Sequence, residues 1–80
     1  SKIYIGPNPS AEYLQINNMN PSIRYAAVVY DCAGKLMWSK NIDNLNRSVN
    51  ISQLRNGVYI LHLLPADKSG DRQIFKFVKR

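Results

Sequence analysis

The sequence has few of the residues that could cross-link a small domain. Its single cysteine, Cys32, cannot form a disulfide within the chain. Its single histidine, His62, leaves no cysteine or histidine pair at zinc-binding spacing. We therefore expect no metal and no cofactor, and a fold stabilised by sheet packing or by a partner.

Long apolar runs are also missing. No stretch approaches the roughly 18 consecutive apolar residues of a membrane-spanning helix, so the sequence predicts no transmembrane segment. The chain opens in a strand-like pattern at Ser1 instead of a signal peptide. Eighty residues allow a single domain, 1–80, which we expect to be a piece of a larger protein or a mature product.

Acidic residues are few. Eleven Lys and Arg against five Asp and Glu give a formal net charge of +6. The charges are dispersed except at the end, where Arg72, Lys76, Lys79 and Arg80 follow the last acid. This distribution is typical of a solvated surface with a basic last strand. Nucleic-acid binding is an alternative that rests on charge alone, and without an RNA-recognition motif we expect no nucleic-acid partner.

The sequence also lacks a recognisable catalytic group. A serine–histidine–acid site needs a base beside a nucleophile, but alternation places His62 in mid-strand on an outer face. Cys32 falls in a hairpin turn, and the four glycines form no phosphate-binding loop. We expect that the chain is not an enzyme.

Strand-like segments and turn signals alternate along the chain at the spacing of a sandwich or barrel. No segment has a sustained helical period. A proline pair interrupts the pattern near the start, and polar turns follow, the last over 66–71. The predicted strands are Lys2–Ile5, Glu12–Asn17, Ile23–Tyr30, Lys35–Ile42, Arg47–Ile51, Gly57–Leu64 and Arg72–Lys79.

Alternation within the strands predicts which side chains face the core. The expected inward groups are Leu14 and Ile16; Ile23, Tyr25, Ala27 and Val29; Tyr59, Leu61 and Leu63; and Phe75 and Phe77. Several strands are apolar on their other side as well. Such a face indicates a partner or a homodimer, although a small sandwich tolerates some exposed apolar area.

The spacing of Leu54, Gly57 and Tyr59 matches a tyrosine corner, in which a hydroxyl bonds to the backbone between two sheets. The alternative is an ordinary hairpin with a core tyrosine. A crossover here favours an all-β, seven-stranded, immunoglobulin-like antiparallel β-sandwich over an up-and-down barrel.

Four short segments, spread from one end of the chain to the other, occur in a fixed order: Ile5–Ser10, Tyr30–Leu36, Ile51–Leu61 and the last strand. Their distinctive residues are Pro7, Asn8 and Pro9; Gly34; Leu54, Gly57 and Tyr59; and Phe75, Lys76, Phe77, Lys79 and Arg80. Together they resemble the YPNP, YD-x-x-G-(K/R), I-x-x-L-x-x-G-x-Y and basic terminal elements of type IX secretion C-terminal sorting domains. Gly6 stands where the family usually has an aromatic residue.

The resemblance implies that the domain is the address label of a larger secreted protein from a Bacteroidetes-type bacterium. The cargo would enter the periplasm by a separate N-terminal signal, and the outer-membrane translocon would recognise the domain. In this family a cell-surface sortase commonly removes the domain. The cut would lie upstream of or near Ser1, and the new C-terminus of the cargo would be joined to lipopolysaccharide. The cargo would reach the outer-membrane surface or the medium, and we expect Phe75–Arg80 to form part of the recognised surface.

A second interpretation is a non-catalytic adhesion or carbohydrate-binding β-sandwich. It predicts exposed aromatic side chains on one face, such as Tyr30 and Trp38, and glycan binding without a role in transport.

Overall fold

The computed structural model describes residues 2–67 and 70–80, and within them the chain forms seven strands and no helix. The strands are β1 (Tyr4–Gly6), β2 (Tyr13–Asn17), β3 (Tyr25–Asp31), β4 (Leu36–Ile42), β5 (Ser48–Asn50), β6 (Gly57–Pro65) and β7 (Gln73–Lys79). Each corresponds to a predicted strand with its ends moved by at most two residues. Part of the polar turn predicted over 66–71, Lys68 and Ser69, lies outside the described residues, as does Ser1.

The strands form two antiparallel sheets. One contains three strands in the order β1-β2-β5, and the other contains four in the order β4-β3-β6-β7. Strand β6 pairs with β3 on one side and with β7 on the other, over seven residues in each case. The predicted all-β, antiparallel class is therefore confirmed.

One hydrophobic core lies between the sheets. Leu14, Ile16 and Val49 come from the three-stranded sheet and are fully buried. The four-stranded sheet contributes Tyr25, Ala27, Val29, Tyr59, Leu61, Leu63 and Phe77. Ile23 and Phe75 pack against this core while partly exposed, so the inward faces predicted by alternation are confirmed.

The β3–β4 hairpin is closed by Asp31. One oxygen of its carboxylate accepts hydrogen bonds from the backbone amides of Ala33 and Lys35, at 2.9 Å each. Gly34 has a φ of 85°, a left-handed conformation in which a side chain is disfavoured. The predicted role of Gly34 in this turn is confirmed.

Asp43 performs the same task between β4 and β5. Its carboxylate accepts hydrogen bonds from the amides of Leu45 and Asn46, at 2.9 Å each. These two donors favour the charged form, and they hold the pKa of Asp43 below its usual value.

Candidate functional site: the motif residues and the last strand

The third motif runs from the end of β5 in one sheet into β6 of the other, and Tyr59 lies near the start of β6. Its hydroxyl donates a hydrogen bond of 2.7 Å to the carbonyl oxygen of Arg55, four residues earlier. Its ring stacks on Phe77 of β7, with ring centroids 5.7 Å apart. The turn before it is closed by the amide of Leu54, which donates to the carbonyl of Ile51 at 3.0 Å. The spacing predicted a hydrogen bond from Tyr59 to the preceding backbone, and this bond is present.

The first motif lies against the last strand. The side-chain oxygen of Asn8 accepts a hydrogen bond of 2.9 Å from the amide of Val78. Its side-chain nitrogen donates to the carbonyl of Lys76 at 3.4 Å. The carboxamide thus offers one acceptor and one donor to β7, as a peptide group of a neighbouring strand would.

Ser10 continues this contact with its main chain. Its amide donates to the carbonyl of Val78 at 2.9 Å, and its carbonyl accepts from the amide of Arg80 at 3.0 Å. Ser10 and Lys79 form a parallel bridge, and the Ser10 hydroxyl donates to the carbonyl of Tyr13 at 2.6 Å.

We call residues Pro7–Ser10 the clip. It covers the outer edge of the second half of β7. That edge would otherwise present unpaired backbone groups, which promote non-specific strand pairing.

Replacing Asn8 by alanine is expected to lower the free energy of unfolding by about 0.5 to 1.5 kcal/mol, because one hydrogen bond of ordinary length and a second, longer one are lost. The Val78 amide should exchange with deuterium faster, while amides in the β3–β6 ladder change only with global stability. Asn8→Asp is the matched variant, since it keeps the acceptor for Val78 but loses the donor to Lys76. Val78 exchange that is unchanged in Asn8→Ala would contradict this role of the clip.

The last strand turns alternate residues inward. Phe77 is fully buried and Lys79 is only 8% exposed. The amine of Lys79 reaches the carbonyl oxygen of Arg80 at 3.4 Å, so its stem packs inside while its charge stays near the surface. Within Phe75–Arg80, the charged groups turned to solvent are therefore Lys76 and Arg80.

The aromatic pair that the glycan-binding interpretation requires does not share a face. Val29, which is buried, pairs with Trp38, whereas Tyr30 pairs with Leu36. Because paired residues of a ladder lie on the same side of a sheet, Trp38 faces the core side and Tyr30 the outer side. The expectation that these two rings form one exposed platform is wrong.

His62 lies in mid-strand on the outer side, as alternation predicts. Its ring meets the ring of Tyr30 edge to face, with centroids 4.9 Å apart. No group of three or more histidines, cysteines and acids with metal-binding geometry occurs within residues 2–67 and 70–80. The same ranges hold no helix with the length and apolar character needed to cross a bilayer.

Ser10 contributes to this arrangement, although sequence reasoning did not single it out. Only 3% of its surface is exposed, and it bonds to both β2 and β7. Its position directly after the second proline was the available signal, because a proline cannot donate and the next residue supplies the first free amide.

The motif residues thus define a class of small, two-sheet β-domain in which the start of the chain is bonded to its last strand. The sequence profile of the secretion system C-terminal sorting domain matches residues 2–78. The chain belongs to this family, the C-terminal sorting domains of type IX secretion. No curated protein matches the chain in sequence.

Membership of this family gives the domain a general role. It is a sorting signal that interacts with the type IX secretion machinery. Proteins with this signal are exported to the cell surface or the extracellular space.

Proposed function

We propose that the outer-membrane translocon recognises the folded domain rather than a linear terminal peptide. The observation that carries this proposal is the clip, in which Asn8 and Ser10 bond to Val78 and Arg80 across most of the chain. The first family motif therefore meets the last one only when the domain is folded. The motif residues Gly34, Leu54 and Tyr59 likewise act inside turns or the core.

The domain itself acts without catalysis, as a label attached to a cargo protein, including cargo that is itself an enzyme. The cargo crosses the inner membrane by its own N-terminal signal, and this domain then directs it from the periplasm through the outer membrane. A cell-surface sortase commonly removes such a label and joins the cargo to lipopolysaccharide. The family match supports the secretion step of this route.

We also infer that the two sheets form an immunoglobulin-like sandwich. The partition into β1-β2-β5 and β4-β3-β6-β7 supports it, because the fourth strand of such folds can join the sheet of the third, sixth and seventh. The hydrogen bond from Tyr59, near the start of β6, to Arg55 has the position of a tyrosine corner.

The proposed function predicts export of a foreign cargo. The chain is fused to the C-terminus of a fluorescent protein that carries an N-terminal export signal, in a host with a type IX system. We expect the reporter outside the cell in the parent strain and inside the periplasm of a translocon-deficient strain. The mass of the exported reporter then tests sortase removal.

The control is the same fusion with Tyr13→Phe, an exposed change that should leave export intact. A folded domain whose reporter stays in the periplasm of both strains would contradict the proposal. An adhesion module would then become the better interpretation.

A further inference from the structure

The side of the four-stranded sheet that faces away from the core lies outside the packing between the two sheets. Two neighbouring rows of paired residues cross it: Val28–His62–Ile74 and Tyr30–Ile60–Lys76. We call this side the outer face. Its central aliphatic side chains are only partly buried, and Ile74 is 59% exposed.

The outer face carries a positive charge and no acidic side chain. No outward position of β3, β4, β6 or β7, all of which are described, holds an aspartate or a glutamate. Lys76 supplies a positive charge beside Ile60. The acid at the border, Asp31, already accepts hydrogen bonds from the amides of Ala33 and Lys35.

The size of the outer face fits a transient contact. Strands lie about 4.8 Å apart and rise about 3.3 Å per residue, so four strands of seven residues cover roughly 400 Å². A stable protein–protein interface buries about 800 Å² on each partner. A contact smaller than that suits a signal that must be released after transport.

We propose that the outer face docks onto a protein of the secretion machinery through an apolar surface bordered by carboxylates, one of which pairs with Lys76. This inference rests on the proposed function and adds the contact surface to it. A second copy of the chain is the poorer occupant. Two such faces would bring together two surfaces that each carry Lys76 and no carboxylate, on molecules of net charge +6.

The test uses the reporter fusion with two outer-face variants. Lys76→Glu reverses the charge, and the double variant Ile60→Thr with Ile74→Thr removes apolar surface while keeping β-branched residues that suit a strand. We expect each to reduce the exported fraction by about tenfold, as for central contacts of an interface. Thermal unfolding of each purified domain establishes that it is folded.

The matched controls lie at or beside the other sheet. Lys2→Glu makes the same charge reversal at an exposed position, and Tyr4→Thr with Tyr13→Thr removes two exposed aromatic rings. Both should export within about twofold of the wild type, as expected of surface changes outside an interface. Equal export of outer-face and control variants overturns the inference but leaves the proposed function standing. If the wild-type fusion itself is not exported, the proposed function fails and this inference fails with it.

Two further measurements keep the result independent of small losses of stability. A photo-reactive side chain at Ile74 should cross-link to an outer-membrane protein only in the translocon-competent strain, and one at Tyr13 should not. Equal cross-linking from both positions, or none from Ile74 in an exporting fusion, overturns the inference. Sedimentation of the purified domain gives a further outcome that overturns the inference. A wild-type dimer that Lys76→Glu dissociates would assign the outer face to a second copy of the chain.

Discussion

Replacing Phe77 by alanine is expected to remove a large share of the stability of the domain. Phe77 is fully buried in β7 and stacks on Tyr59, so its loss leaves a cavity in the middle of the core. Large-to-small changes of this kind cost about 3 to 5 kcal/mol. Small domains have total stabilities of about 5 to 15 kcal/mol, of which this is a large share.

The measurement is chemical unfolding of the purified domain followed by circular dichroism. Ile74→Ala is the matched control, because it lies in the same strand, is 59% exposed and should change stability by at most about 0.5 kcal/mol. If the signal is the folded domain, the reporter carrying Phe77→Ala should also remain in the periplasm. A stability loss below about 1 kcal/mol would mean that Phe77 is not in the core, since buried phenylalanines cost several times more.

Removing only the hydroxyl of Tyr59 is the second change with a large expected effect. Tyr59→Phe keeps the ring that stacks on Phe77 but leaves the carbonyl of Arg55 without its donor at 2.7 Å. The unpaired group costs about 1 to 3 kcal/mol. For a domain of this size, each kcal/mol lowers the melting temperature by about 4 to 8 °C.

Tyr13→Phe removes a hydroxyl from a side chain that is 51% exposed, and it should shift the melting temperature little. Calorimetry of the two variants side by side therefore isolates the hydrogen bond to Arg55. Equal melting temperatures would show that Tyr59 contributes through its ring alone.

Most of the fold could be predicted from the sequence, because alternation and turn chemistry are local signals. Tyr59, Leu61 and Leu63 fall at every second position between clear turns, which fixes both the strand and its inward side. The left-handed turn at Gly34 and the bond from Tyr59 to Arg55 each span only a few residues. Their patterns are visible without knowledge of the rest of the chain.

Long-range register could not be predicted in the same way. The bond between Asn8 and Val78 joins residues 70 positions apart, and no local pattern states which backbone an amide side chain will meet. The faces of Tyr30 and Trp38 depend on the pairing of β3 with β4, which shifts at Val29/Tyr30. A one-residue change in register moves a side chain to the opposite face, so their separation follows from pairing and not from composition.

The burial of Lys79 shows a further limit of sequence reasoning. Alternation places it on the same side as Phe77, while its charge suggests solvent. The structure satisfies both, because the aliphatic stem is covered and the amine reaches the carbonyl of Arg80. Lys79 therefore contributes apolar packing through its stem as well as a charge near the surface.

The place of β7 in the sheet has a consequence for synthesis. This strand pairs with β6 along seven residues, supplies Phe77 and receives the clip, yet the ribosome makes it after every other strand. A nascent chain that ends before Gln73 cannot complete the core or hold Pro7–Ser10 in place. Because we propose that the translocon recognises only the folded domain, we expect that a chain terminated before Gln73 is not exported, so that export reports that translation has passed through β7.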